Sequence, residues 1–143
     1  MATVFDVASY ILSESGEMSA MKLQKLAYYS QAWSLVWDEA ELFPEHFEAW
    51  ANGPVCPALY DAHRGNFLVD ARTITGNPNA LTDSEKETVD LVLEFYGDKS
   101  AQWLSDLTHQ EDPWKDARGD TPPMARSNEI ITPAAMHEYY SAL

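Results

Sequence analysis

The sequence predicts a mainly α-helical fold: a single compact helical domain carrying a small two-stranded β-sheet. Three observations carry that prediction. Apolar residues recur at helical spacing in separate stretches, Val4–Leu12, Leu23–Trp37, Val89–Tyr96 and Trp103–Leu107. Helix-start signals stand immediately before such stretches, at Ser19, Thr82-Asp83-Ser84-Glu85, Ser100 and Thr132-Pro133. Only the stretch Glu45–Ala51 alternates with the period of two that marks a strand.

The first helix is expected over Val4–Ser13, with Val4, Val7, Ala8, Ile11 and Leu12 on its inner face and Gly16 ending it. Ser19 caps a second helix running to about Trp37. There Leu23, Leu26, Ser30, Trp33 and Trp37 share a face, while Met21, Tyr28, Tyr29, Leu35 and Val36 widen the apolar surface. A helix apolar on several sides is expected to be central. In Glu45–Ala51, Phe47, Ala49 and Ala51 alternate with Glu48, Trp50 and Asn52.

A rigid corner follows. Gly53 takes a positive φ without steric cost, Pro54 fixes its own φ, and each proline restricts the residue before it. Pro57 opens a helix to about Arg64, with Gly65 past its end. Phe67–Gly76 reads as irregular or weakly extended, and Gly76-Asn77-Pro78-Asn79 as a loop. The capping box at Thr82 opens a helix to about Tyr96, with Val89, Val92, Leu93 and Tyr96 inward and Gly97 stopping it. Ser100 caps the next helix, with Trp103, Leu104 and Leu107 inward, and Pro113-Trp114 begins a short turn. Gly119–Ser127 is a loop, Glu129–Ile131 a strand facing the one near Phe47, and Thr132-Pro133 starts a final helix.

At 143 residues the chain fits one domain over 1–143, with a core from about 4 to 117 and a C-terminal strand and helix over about 129–142. A chain this long buries roughly 68% of its unfolded surface, enough for a core without staples. No run approaches the roughly 18 apolar residues of a membrane span, and the N-terminus lacks a basic region followed by an apolar stretch. A cytoplasmic protein is expected. The single Cys56 excludes an internal disulfide and a cysteine-based metal cluster. A net charge of −14 disfavours nucleic acid and acidic membrane surfaces and favours a basic protein partner.

Candidate chemistry resolves mainly into structure. Cys56 has no local signature pairing it with His46, His63 or His109, and Val55 and Pro57 beside it suit a small apolar residue. His63, His109, Glu111 and Asp112 lack the spacing of a helical metal site, and His109 suits a helix C-terminus. The acidic run Glu111-Asp112-Pro113-Trp114-Lys115-Asp116 suits the start of a helical turn, with Trp114 folded onto the core. No catalytic residue, metal ligand or cofactor is assigned. Lys22 and Lys25 read as solvated or snorkelling lysines, or as contacts to acids on a partner or within the chain.

The blocks Met21-Lys22-Leu23-Gln24-Lys25-Leu26-Ala27-Tyr28-Tyr29-Ser30-Gln31-Ala32-Trp33, Glu48–Tyr60 around Asn52-Gly53-Pro54-Val55-Cys56-Pro57, and Ser100–Trp114 are informative together. In this order and spacing they resemble the Panacea domain family, also described as SocA-like or phage-associated domains, over about Val4–Ala117. The resemblance implies an antitoxin that binds a cognate protein toxin in a hetero-oligomer. The DNA-binding segment that some members carry is not expected in this chain. A second reading is an adaptor delivering a bound client to a cellular protease, with a protease or chaperone as the further partner. Rigid loops on helical scaffolds carry function, and aromatic residues concentrate at hot spots. The expected partner surface is therefore the corner Trp50, Asn52, Gly53, Pro54, Val55 and Tyr60, joined by Lys25, Tyr29 and Trp114.

Overall fold

In a computed structural model describing residues 1–143, the chain opens with helix α1 (Val4–Ser15). Thr3 starts it with a reciprocal cap: its hydroxyl accepts from the Asp6 amide, and the Asp6 carboxylate accepts from the Thr3 amide. Strand β1 (Met18–Ser19) leads into α2 (Ala20–Trp37), whose Lys22 amide donates to Ser19 Oγ. Then come β2 (Phe47–Trp50), β3 (Gly53–Val55), α3 (Pro57–His63) and β4 (Leu68–Val69). A 3₁₀ turn at Pro78–Ala80 precedes α4 (Asp83–Tyr96), α5 (Ala101–His109), α6 (Asp112–Arg118), β5 (Ile130–Ile131) and α7 (Pro133–Ser141). Thr82 and Glu85 form the reciprocal cap expected at α4.

The architecture is mainly helical, and α2 is its centre. It packs against α1, α4, α5, α7 and β3. Leu23, Leu26, Ala27, Tyr28, Tyr29 and Ala32 are all buried along it, as a helix apolar on several sides requires.

The sheet differs from the expected pair of strands. β2 does pair with β5, Phe47 opposite Ile131, but it also pairs with β3, giving the order β3-β2-β5. The segment read as a corner is thus the return strand of a hairpin, with Gly53 opposite Trp50 and Pro54 opposite Ala49. Pro54, which has no amide hydrogen, sits on an edge strand, where its lack of a donor is tolerated. A second small sheet pairs β1 with β4, Met18 opposite Val69. Its strand β4 falls within the stretch that the sequence reads as irregular or weakly extended, because two-residue strands are too short to show alternation.

Two tryptophans expected to face inward are instead at the surface. Trp103 is 43% exposed because α5 turns Leu104 and Thr108 to the core and leaves Trp103 to one side. Trp37 is 47% exposed at the last turn of α2, stacked on Trp33. Lys22 is not simply solvated; its Nζ donates to the Gly97 carbonyl at the end of α4.

Buried polar groups tie the elements to α2. Gln31 accepts from the Leu42 amide at 2.6 Å and donates to the Phe43 carbonyl at 2.7 Å, and Ser34 donates to the Ala40 carbonyl. A further knot is Glu111, which stands at the N-cap of α6 but makes no side-chain cap. Instead its Oε1 accepts from Tyr29 and Tyr140, each at 2.7 Å, while the Tyr28 hydroxyl lies 3.1 Å from that of Tyr140. Burial raises the pKa of Glu111, and the two tyrosine donors oppose that shift. These contacts join α2, α6 and α7. Tyr140→Phe removes one donor to a buried carboxyl and is expected to lower stability by about 1–2 kcal/mol in urea denaturation, with little change in helix content.

Candidate functional site

The site is built where the β2–β3 hairpin crosses α2 and α5. Gly53 begins β3 at φ 119°, in the region that favours glycine. A Cβ there would stand 2.6 Å from Lys25 Cε and 3.0 Å from Thr108 Oγ1. The lysine stem thus runs directly beneath the turn, in space that any larger residue at 53 would occupy. Its ammonium ends inside the protein: Lys25 is 1% exposed, and Nζ has no hydrogen-bond partner. Burial lowers its pKa to about 7.

His109, the last residue of α5, lies close by. Its ring stacks on Trp114 with centroids 4.1 Å apart, and Nε2 is buried and without a partner. Its pKa is lowered by burial first and by Lys25 second, while Asp106 acts in the opposite sense. Lys25 and His109 line a cleft of about 480 Å³ together with Met21, Asn52, Ser105 and Asp106.

The hairpin itself is pinned by side chains from the helices. Ser105 donates to the Asn52 carbonyl at 2.6 Å, and Trp114 Nε1 to the Trp50 carbonyl at 2.8 Å. Arg118, buried with its guanidinium over the Trp114 ring, donates to the Ala49 carbonyl and to carbonyls of Pro122 and Ala125 in the following loop. Trp50 packs edge-on against Tyr60 and donates to Glu48. On α2, Gln24 both accepts from the Cys56 amide and donates to the Cys56 carbonyl, fixing the junction of β3 and α3. The same amide nitrogen lies 3.0 Å from His63 Nε2, which is therefore the acceptor; burial holds the His63 pKa low.

The residues expected at a partner surface thus divide. Lys25, Trp50, Asn52, Gly53, Tyr60 and Trp114 come together around the hairpin. Asn52 is exposed and Trp50 and Tyr60 are half-buried, whereas Lys25, Gly53, Pro54, Val55 and Trp114 are buried beneath them. Tyr29 lies apart from this face, inside the protein, bonded to Glu111 and stacked on Tyr96. Cys56 is buried, and its thiol pKa is raised to about 11 by that burial, the opposite of an activated nucleophile. No three His, Cys, Asp or Glu side chains gather as metal ligands.

A second feature lies on the other side of α5. Trp33, Trp37, Leu91, Phe95, Trp103 and Leu107 line a groove of about 910 Å³ between α2, α4 and α5. Phe95 is 68% exposed. The sequence does hold a signal for it, namely Leu91 and Phe95, one turn apart on α4 and off the inward stripe of Val89, Val92 and Tyr96.

The family model described as antitoxin SocA-like, Panacea domain, matches residues 23–115, a stretch that holds Lys25, the hairpin and α5. No curated protein and no solved structure matches the chain.

Because the folded pKa of Lys25 lies below its unfolded value, its burial costs most stability below pH 7 and progressively less as pH rises toward the ordinary lysine range. The stability of the wild type relative to Lys25→Met is therefore expected to rise between about pH 7 and pH 10, with Lys25→Met the more stable protein at pH 6. Denaturation of both proteins across that range checks it. Gly53→Ala is expected to destabilise by a further mechanism, strain at φ 119° combined with collision against the Lys25 stem.

Proposed function

Because the chain belongs to the SocA-like antitoxin family with the Panacea domain, we propose that it is an antitoxin acting on a cognate protein toxin by direct binding rather than catalysis. The observation that carries the binding reading is the groove beside α5. Trp37, Leu91, Phe95 and Trp103 leave a large apolar area in contact with water, and such areas mark interaction sites. Trp and Phe anchors in a groove are the side chains that concentrate binding energy. The molecule around them carries a net charge of −14, which accelerates encounter with a basic partner. The occupant this combination suits is a toxin surface with an apolar centre and a basic rim.

The hairpin on the opposite flank of α5 supplies the second part of the proposed contact surface. Trp50, Asn52 and Tyr60 are the members that reach the surface. Lys25, Gly53, Pro54, Val55 and Trp114 serve by holding the hairpin in shape from below, and Tyr29 by fixing the core behind α2. This arrangement fits a scaffold whose interior is kept while its outer side chains select the partner.

The experiment is induction of the open reading frame beside this gene, with and without the protein. Growth arrest by the neighbour, rescue by this chain and co-purification of the two support the reading. A harmless neighbour, or rescue with no complex, overturns it. Phe95→Asp places a charge at a mainly exposed position, so the fold is expected to hold while toxin affinity falls at least tenfold, about 1.4 kcal/mol. Undiminished affinity in that variant, measured by calorimetry, would move the toxin off the groove.

A further inference from the structure

We propose that the cleft between the hairpin and α5 is a receptor for a single carboxylate group, with Lys25 Nζ as its counter-ion and His109 Nε2 as a second donor. The site is independent of the apolar groove and does not rest on the antitoxin reading.

The first argument is the missing partner. Lys25 is almost completely buried, and its ammonium makes no hydrogen bond and no ion pair, although the chain has 23 acidic residues. The ion pairs within the molecule involve His46, Arg72 and Lys99 only. A buried cation without a counter-ion is strongly disfavoured, and an apolar residue of similar length would fill the same channel without that cost. The second argument is convergence. His109, whose Nε2 is also buried and unpartnered, belongs to the lining of the same cleft, so two residues that each hold a polar atom without a partner share one opening. When Nε2 carries a ring proton, it donates to the oxygen that Lys25 does not hold.

The third argument concerns charge. The groups facing Lys25 and His109 are His63 from α3, Asp106 from α5 and Arg118 from α6, with the Thr108 hydroxyl beside the Gly53 turn. His63 is held toward its neutral form, and Arg118 is engaged with backbone carbonyls. Lys25 and Arg118 set against Asp106 leave one net positive charge beside the opening, which balances one negative charge and not two. That selects a carboxylate over a phosphate dianion. Binding is proton-linked, because the carboxylate stabilises the charged forms of Lys25 and His109, both of which burial opposes.

The test is an NMR titration of the full chain, labelled in lysine and histidine side chains, with sodium acetate, with inorganic phosphate, and with sodium chloride at matched ionic strength. A blocked peptide carrying one glutamate forms a further arm. The expected result is a saturable shift of Lys25 Nζ and of the His109 ring by acetate, with the Lys25 titration moving up toward the ordinary lysine range. Apparent affinity is expected to be roughly tenfold weaker at pH 8 than at pH 6, as the charged fraction of Lys25 falls. Lys25→Met should abolish the His109 shift, and His109→Gln should weaken acetate binding while leaving the Lys25 shift in place. Tighter binding of the peptide than of acetate assigns the carboxylate to a polypeptide, and acetate binding without peptide binding assigns it to a small molecule. The proposal is overturned if acetate does no more than chloride, if phosphate binds more tightly than acetate, or if the His109 shift survives Lys25→Met. The wild-type arms decide the matter even if a variant does not fold.

Discussion

The structure depends on one helix being surrounded. α2 is packed by α1, α4, α5, α7 and β3, so its polar side chains have no solvent to turn to. A buried polar group must find a partner or carry the full desolvation penalty. Along α2 most of them do find one, and for Gln24, Gln31, Ser34 and Tyr29 the partner lies outside the helix. Gln24 holds the backbone of Cys56, Gln31 the loop at Leu42 and Phe43, Ser34 the Ala40 carbonyl, and Tyr29 the carboxyl of Glu111. Ser30 is satisfied by its own helix, at the Leu26 carbonyl. The polar residues that weaken the amphipathic pattern of α2 are therefore the ones that position the loops and the hairpin around it.

Much of this was legible in the sequence, for physical reasons that differ by element. Caps are local, so Ser19, Thr82 and Ser100 marked their helix starts from a few neighbouring residues. The breadth of the apolar surface on α2 announced a central helix because burial on several sides leaves no polar stripe. β3 was not legible as a strand, since Gly53-Pro54-Val55 is short and its composition is that of a turn. Trp37 and Trp103 misled for a complementary reason. Hydrophobicity reports that a side chain prefers to be covered, not which molecule covers it. The Glu111 knot joins residues far apart in sequence, Tyr29, Glu111 and Tyr140, and a single chain offers no signal for such a pairing.

Lys25 shows the limit most clearly. From its own neighbours it reads as an ordinary lysine on a helix flank, free to reach water with its head. What closes that route is the hairpin, and what makes the closed channel wide enough is the absent side chain of Gly53. The glycine was legible as a conformational requirement, through its positive φ. Its second role, leaving volume for a stem from another element, is visible only once β3 has folded back over α2.

α5 then separates two chemically unlike openings. One flank borders a groove of mainly aromatic and aliphatic side chains, and the other a polar cleft lined by two residues that each hold a buried nitrogen without a partner. Apolar area supplies affinity with little discrimination, because almost any complementary hydrophobic surface gains from leaving water. A buried cation discriminates sharply, because an occupant lacking a negative charge leaves it as unfavourable as before while still displacing water. A protein needing both properties gains by keeping them on opposite sides of a rigid helix, since a change to the exposed groove residues leaves the hairpin and its lysine undisturbed. The separation permits outer side chains such as Leu91 and Phe95 to change while the lysine channel beneath Gly53 and the hairpin stays the same.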